Sequence, residues 1–276
     1  MGKSRRNVSM ELRNSYIKNW KEKEENDQYE AFIRTFDISS SGIKSRYPCP
    51  DTPGRFYQTL SINELFQLIH LLKDPTIKCI KEQYAVVDRK KDSITLTDES
   101  VALAMAMNIK HPTYPQCDTP IVITWDFLCE TISGGMKVFS VKPAYVLGKK
   151  RVKQLIALER ALAIAHGYEY KLILDTKLKT IQTDNYVKAS FGAKLPQELR
   201  CIYKAWFPNF ADSLSENEYD SLLFSIKKAG KQMGIGLQHA YKLVLHAFWI
   251  GDISSASNIA LLPELSPYEL EVAVHA

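Results

Sequence analysis

The chain has 276 residues, 45% of them hydrophobic, which is enough for one large or two modest domains with packed cores. Its formal charge of +5 suits a phosphate-rich partner but does not require one. The five cysteines are scattered and form no C-x-x-C pair, so neither a disulfide framework nor a zinc site is expected. No apolar run has the length of a membrane span. These features predict a globular, cytoplasmic protein.

The first half of the chain contains a charged segment, a helix, a strand and a hairpin. Residues 1–48 are dense in charge and are predicted to form an arm with one polar helix outside the core. Ser61 and Glu64 have the spacing of a capping box, which predicts the start of the next helix. The alternation in "IKCIKEQYAVV" predicts a strand, and "IVITWDFLCETISGGMKVFSVKP" predicts a hairpin that turns at Gly134 and Gly135.

The second half begins with the helical pattern "KKRVKQLIALERALAIAHG" and the strand pattern "YEYKLILD". The order helix, strand, hairpin, helix, strand predicts an α/β domain over residues 49–178. Residues 179–276 are mainly helical in pattern, with a capping box predicted at Ser215 and Glu218 and a Gly-bearing turn before "LQHAYKLVLHAFWIGDI". The last hundred residues therefore predict a helical domain of the helix-turn-helix type.

The hairpin carries charged residues at positions where a plain hairpin needs none. Alternation along a strand places Ser140 and Lys142 on one face, and Asp126 points opposite to Trp125 and Phe127. Asp126, Ser140 and Lys142 are therefore predicted to gather on one face. A simple cross-strand ion pair explains this pattern as well as a functional site does.

Two glutamates are candidates to join these residues. Glu64 is explained by its capping box alone. Glu159 lies on the apolar stripe of its helix, between Leu155 and Leu162, where a carboxylate needs a cationic partner, a metal ion or a raised pKa. Lys142 is one candidate partner for it. Hydrolysis of a phosphodiester uses such carboxylates to hold hard divalent cations, together with a lysine near the scissile group.

The chain resembles the TnsA family, the endonuclease subunits of heteromeric cut-and-paste transposases. The resemblance is carried, in family order, by "GRFYQTLSINELFQLIHLL", "IKCIKEQYAVV", "IKHP" followed by "TWDFL", "SVKPAYVL" and "LIALERAL", which cover most of residues 50–175. It is looser in the last hundred residues, where it rests on helical character and "FWIGDI". It implies a restriction-endonuclease-like catalytic domain and a winged-helix-like C-terminal domain that docks partners.

The resemblance also implies an activity and the residues that perform it. The expected protein is a Mg²⁺-dependent endonuclease, with Mn²⁺ as a substitute, that cuts the 5′ ends of the transposon strands. The family's catalytic residues fall on Glu64, Asp126 and Lys142. Where TnsA has Gln two residues before the lysine, this chain has Ser140, a poor metal ligand. Metal coordination is therefore expected from Asp126 and Glu64, with the Val141 carbonyl or Glu159 in support.

The partners implied are double-stranded DNA of the transposon ends, a DDE transposase (TnsB-like) that cuts the 3′ ends, and an AAA+ regulator (TnsC-like). Basic residues that could line the DNA path, or simply form a solvated helix start, are Arg5, Arg6, Lys149, Lys150, Arg151 and Lys153. His111, beside a proline, is interpreted as a hydrogen-bonding residue and not a catalytic one. The alternative functions are a non-cutting adaptor on the nuclease fold and a stand-alone restriction-type nuclease.

Overall fold

The computed structural model describes residues 8–37, 42–50, 52–87 and 98–275. The chain divides into two compact units, Met1–Leu178 and Lys179–Ala276. This division coincides with the boundary predicted between the α/β domain and the helical domain. Arg5 and Arg6, two members of the predicted basic set, lie outside the described residues.

The first unit alternates helices and strands. In chain order they are α1 (Met10–Glu25), β1 (Ser45–Pro48), β2 (Phe56–Thr59), α2 (Ile62–Lys73), β3 (Ile77–Ala85), α3 (Asp98–Ala106), β4 (Thr124–Thr131), β5 (Met136–Lys142), a short 3₁₀ turn (Ala144–Val146), α4 (Lys150–Ala165), β6 (Glu169–Leu174) and α5 (Asp175–Leu178). None of the helices that the structure describes, in either unit, is long and apolar enough to cross a membrane.

A four-stranded mixed sheet lies at the centre of this unit, in the order β3-β4-β5-β6. β4 pairs antiparallel with β3 and β5, and β6 pairs parallel with β5. The β4–β5 hairpin turns at Gly134, whose φ of +82° is a conformation that residues with a side chain rarely adopt. The α/β class predicted from the sequence is confirmed.

Each face of the sheet packs against a helix. Leu128 and Val138 pack in one apolar cluster with Leu158 of α4, whereas Phe139 packs in another cluster with Leu68 of α2. Because side chains alternate along a strand, the two clusters lie on opposite faces. The sheet is therefore covered by α4 on one side and by α2 on the other.

The first helix corrects the prediction of a separate N-terminal arm. Arg13, Ile17 and Trp20 of α1 are buried, and Ile17 and Trp20 belong to the cluster that contains Leu158. Arg13 also donates from Nε to the Pro120 carbonyl at 2.8 Å. The helix is part of the first unit because residues spaced by four and three form a narrow stripe that buries one side of an otherwise charged helix.

The prediction that Trp125 and Phe127 lie on the same face of the first hairpin strand is also wrong. Phe127 packs with the α2 cluster, but Trp125 packs with the α4 cluster and stacks on Tyr84. The partner strand is irregular at this point, since Gln83 has a φ of +47°. A local break in the pleat accounts for the change of side.

The second unit is mainly helical. Its elements are α6 (Ile181–Ser190), α7 (Gln197–Glu216), α8 (Leu222–Gln232), α9 (Leu237–Ile250) and the paired short strands β7 (Ile253–Ser254) and β8 (Ala273–Val274). Its core includes Trp206, Phe210, Leu222, Ile226, Leu243 and Val244.

Two close approaches set the packing of the second unit. A Cβ at Gly230 of α8 would lie 3.0 Å from the Ile235 carbonyl oxygen, in the Gly-bearing turn that joins α8 to α9. A Cβ at Gly192, after α6, would overlap the backbone of Leu245 and His246 in α9. The helix, turn and helix predicted here are therefore present, and glycines allow their close contact.

The capping box predicted at Ser215 and Glu218 is wrong. Ser215 lies within α7 and donates from its hydroxyl to the Ala211 carbonyl, whereas Ser221 caps α8 by accepting from the Phe224 N–H. The helix continues past the predicted cap because the buried residues of α7 extend to Leu214, so tertiary packing outweighs the local signal.

Candidate active site

The hairpin brings Asp126 and Lys142 into contact, as their positions on the strands predict. Lys142 Nζ lies 3.2 Å from Asp126 Oδ2, and the Val141 backbone N–H donates to the same oxygen at 2.7 Å. Continued by one residue, the register that pairs Phe127 with Phe139 sets Asp126 opposite Ser140, and Lys142 lies two residues further along β5. The backbone of β5 therefore holds the carboxylate of β4 in one orientation.

Lys142 also faces a second carboxylate, that of Glu159 on α4. The distance from Lys142 Nζ to Glu159 Oε1 is 3.7 Å, and Ser140 donates from its hydroxyl to Glu159 Oε2 at 2.6 Å. Burial lowers the pKa of Lys142, but Asp126 and Glu159 outweigh burial and hold that pKa above its usual value. Lys142 is therefore a fixed positive charge between two carboxylates.

Burial raises the pKa of Glu159, and the charge of Lys142 opposes that rise. The Tyr170 hydroxyl lies 3.4 Å from Glu159 Oε2 as a further donor. Ser140, fully buried on β5, thus serves Glu159 as a hydrogen-bond donor. This geometry favours a role for Glu159 in holding Lys142 over a role as a metal ligand.

Glu64 forms the capping box predicted from its spacing and also approaches the hairpin. Its Oε2 accepts from the Leu60 N–H at 2.8 Å, and its backbone N–H donates to Ser61 Oγ at 3.2 Å. Burial, and after it the charge of Asp126, raise the pKa of Glu64 to about 7. The first turn of α2 therefore presents a buried carboxyl group next to Asp126.

Sequence reasoning missed two residues of the site, Gln83 and Tyr170. Gln83 donates from Nε2 to Glu64 Oε2 at 3.1 Å and lies on β3 opposite Asp126. Tyr170, on β6, contacts Glu159. Neither residue breaks the alternation of its strand in a way that would mark it. Only the order and register of the strands bring them to the site.

No protein-family model matches this chain, and no curated protein matches it either. The resemblance to TnsA therefore stays a prediction. The function of the chain is therefore inferred from the geometry of its own residues.

The oxygen donors of this site fit a hard divalent cation that keeps most of its waters. Asp126 Oδ1 accepts no hydrogen bond from the described part of the chain, since both bonds to Asp126 end on Oδ2. Within residues 8–37, 42–50, 52–87 and 98–275, no three His, Cys, Asp or Glu side chains converge into a ready metal cage. Mg²⁺ is typically held by only one or two carboxylates, so Asp126 and Glu64 suffice as candidate ligands. The Val141 carbonyl stays a candidate metal ligand because Val141 lies directly before Lys142 in the chain.

The contacts of the remaining predicted residues are with other parts of the first unit. His111 accepts or donates at Ser100 Oγ at 3.0 Å and at the Pro112 carbonyl at 2.9 Å, which agrees with its interpretation as a hydrogen-bonding residue. At the start of α4, Arg151 donates to the Lys110 carbonyl, and the exposed basic side chains are Lys149, Lys150 and Lys153. A DNA-binding role for these lysines stays a prediction.

Proposed function

We propose that this chain is a Mg²⁺-dependent DNA endonuclease that cuts the 5′ ends of transposon strands as one subunit of a heteromeric transposase. The observation that supports this most directly is the place of Lys142 between Asp126 and Glu159, beside the buried carboxyl group of Glu64. A cross-strand ion pair alone would not need two further buried carboxylates.

Each residue has a step in the proposed hydrolysis. Mg²⁺ at Asp126 and Glu64 would activate the attacking water and offset the charge that builds on the phosphate. Lys142 offers a fixed positive charge to the scissile phosphate, and Asp126 and Glu159 hold its ammonium in place. Because a carboxylate must be ionised to bind Mg²⁺, the raised pKa of Glu64, about 7, would make metal binding depend on pH near neutrality.

The proposal includes a restriction-endonuclease-like fold for the first unit and a winged-helix or helix-turn-helix-like fold for the second. The mixed sheet flanked by α2 and α4 supports the former, and α8, its Gly-bearing turn and α9 support the latter. In this proposal the partners are double-stranded transposon ends, a DDE transposase that cuts the 3′ ends and an AAA+ regulator. The second unit would be the docking surface for the protein partners.

Strand-specific cleavage of element-end DNA by the chain together with its partner transposase tests this proposal. Asp126→Ala should lower 5′ cutting on the order of a hundredfold or more, while 3′ cutting and joining continue. Asp118→Ala, which removes an exposed aspartate of the same unit, is the matched control and should cut normally.

Three results would decide against the proposal. Undiminished 5′ cutting by Asp126→Ala would remove this residue from the active site. A wild-type assembly that joins 3′ ends without cutting 5′ ends in Mg²⁺ or Mn²⁺ would favour the non-cutting adaptor, in which Ser140 marks a lost activity. Vigorous cutting by the chain alone would favour a stand-alone nuclease.

A further inference from the structure

The first unit contains a second concave feature, a cleft of about 700 Å³, whose lining does not include Glu64, Asp126, Lys142 or Glu159. Its walls come from the segment after α1, from the β1–β2 hairpin and from β3. Basic and aromatic side chains line these walls, among them Tyr29, Arg34, Phe36, Arg46, Arg55 and Phe56. Three acidic residues, Glu24, Asp27 and Glu30, lie there as well, and two of them are already paired, Glu24 with Lys81 and Glu30 with Lys23.

Two exposed phenylalanines at this cleft each carry a guanidinium on the ring face. The Arg34 guanidinium lies 4.4 Å from the ring centre of Phe36, and that of Arg46 lies 4.7 Å from the ring centre of Phe56. Phe36 is 54% exposed and Phe56 is 39% exposed, so both residues keep part of their surface in contact with solvent. Each pair combines a flat apolar surface with a positive charge, which together suit a base and its phosphate.

The inner wall of the cleft contains a cation that the fold itself neutralises. Arg55 lies between the rings of Tyr29, at 5.2 Å, and Tyr57, at 4.6 Å, and its Nη2 is 2.5 Å from Glu82 Oε2. Its Nε has no hydrogen-bond partner among the described residues, but it is closed to solvent, so a ligand in the cleft does not reach it. The cation that meets a ligand must therefore be another basic residue of the cleft.

The cations of the cleft differ in how far they are already neutralised. Arg34 pairs with Asp37, and Lys81 pairs with Glu24. Arg46 forms no ion pair with any residue that the structure describes, and its guanidinium lies over the ring of Phe56. Arg46 is therefore the cation most available to a phosphate.

We propose that this cleft binds an unpaired nucleic-acid strand, with bases stacked on Phe36 and Phe56 and a phosphate at Arg46. A duplex keeps its bases stacked on one another and cannot offer their faces to the rings, so the unpaired form is the one that fits. DNA as the natural strand rests on the proposed function, whereas the stacking chemistry does not. In a nuclease the cleft would hold a strand that separates near the cut.

The test is direct binding by the full chain, measured as fluorescence anisotropy in EDTA at low salt so that no cleavage takes part. The probes are labelled single-stranded DNA and RNA of about 20 nucleotides, which exceeds one stacking site, and a DNA duplex of the same length. The double variant Phe36→Ala/Phe56→Ala should bind single strands at least tenfold more weakly. Arg46→Gln should weaken binding less and reduce its salt dependence by about one released ion.

Phe191→Ala is the matched control, because Phe191 is 72% exposed and belongs to the second unit. It should bind single strands as the wild type does. The substituted rings are exposed, so the variants should keep the wild-type circular dichroism spectrum and unfolding midpoint.

The outcomes separate this proposal from the nuclease proposal. Wild-type affinity in the double phenylalanine variant, equal weakening by Phe191→Ala, or tighter binding of the duplex than of either single strand would overturn the cleft as a strand site. Equal loss of DNA and RNA binding in the double variant supports the stacking site and leaves the choice of nucleic acid to the cleavage assay. Failure of 5′ cutting with strand binding intact would refute only the nuclease.

Discussion

Glu64 and Glu82 are two buried carboxyl groups of the same unit, and burial raises the pKa of each to about 7. The charged groups that act most strongly on them have opposite signs. Arg55 lies against Glu82 and lowers its pKa, whereas the charge of Asp126 raises the pKa of Glu64 further. The hydrogen-bond donors around Glu64 are neutral groups of the backbone and of side chains. Lys142 also lowers the pKa of Glu64, but by less than Asp126 raises it. Glu82 therefore has a cation of its own, whereas the cation that acts on Glu64 pairs with Asp126 and Glu159.

This difference separates a structural pair from a candidate reactive group. A buried charge that is matched by the fold stabilises one conformation and has no need of a ligand. A buried carboxyl group beside another carboxylate is costly in its ionised form, and proteins retain such groups mainly at functional sites. Burial alone would have assigned the same role to Glu64 and Glu82, and only their partners distinguish them.

Removal of the cation should have the largest effect, and it is felt at Glu82. Arg55→Gln should lower the free energy of unfolding above pH 7 by about 3 to 5 kcal/mol, because it leaves the ionised Glu82 carboxylate buried without its counter-ion. Urea unfolding measures the change. Glu130→Gln, which breaks the exposed pair with Lys78, is the control and should cost less than about 1 kcal/mol. A small effect at Glu82 would erase the contrast with Glu64.

Removal of the Ser140 hydroxyl should leave the Glu159 carboxylate with one hydrogen-bond donor fewer. Ser140→Ala deletes the 2.6 Å hydrogen bond to Glu159 and should lower the free energy of unfolding by about 2 kcal/mol at neutral pH. The loss should shrink at low pH, where Glu159 is protonated in both the wild type and the variant. A variant as stable as the wild type at every pH would show that Ser140 does not position Glu159.

Glu64→Gln should stabilise the chain in alkaline solution without metal. The folded pKa of about 7 lies above the ordinary glutamate value of 4.5, so the folded state holds this proton more firmly than the unfolded state. The contribution of the protonated group is fully present below pH 4.5 and is lost as pH rises through about 7. At about pH 8 the free energy of unfolding of the variant should exceed that of the wild type by about 1 to 2 kcal/mol. Near pH 4.5 the two should differ little.

Thermal unfolding at the two pH values measures this difference. A Gln variant that is less stable than the wild type at both would mean that the neutral donors already satisfy the ionised carboxylate of Glu64. In that case, Glu64 would belong with Glu82 as a structural group.

Mg²⁺ should have the smallest effect on stability and should act at the site of Glu64 and Asp126, not at Glu82. At a concentration several times its Kd, it should raise the free energy of unfolding of the wild type by about 1 kcal/mol, because it binds the folded carboxylates. Asp126→Ala should abolish this gain, and Glu130→Gln should retain it. An equal gain in all three chains would place the bound ion elsewhere.

Spacing along single elements was enough to predict much of the site. The interval from Ser61 to Glu64 predicted a capped helix start, and strand alternation placed Asp126 and Lys142 together. The apolar stripe of α4 indicated that Glu159 needs a partner inside, with Lys142 one candidate. These features could be read because each depends on the geometry of one helix or one hairpin.

Contacts between distant segments could not be read in this way. The Arg55–Glu82 pair joins residues 27 apart in the chain, and Gln83 reaches the site only through the β3–β4 register. The burial of α1 was missed for a different reason. Its high charge concealed the stripe of Ile17 and Trp20, which periodicity alone would have detected.

The tight approach at Gly192 makes the second unit separable by mutation. A single methyl group there would force α9 away from the end of α6, while the carboxylate site consists entirely of residues of the first unit. Gly192→Ala should therefore loosen the helical unit and leave the Mg²⁺ response of the first unit intact. If the proposed function holds, a chain altered in this way would show whether assembly with partners and cutting of DNA depend on different units.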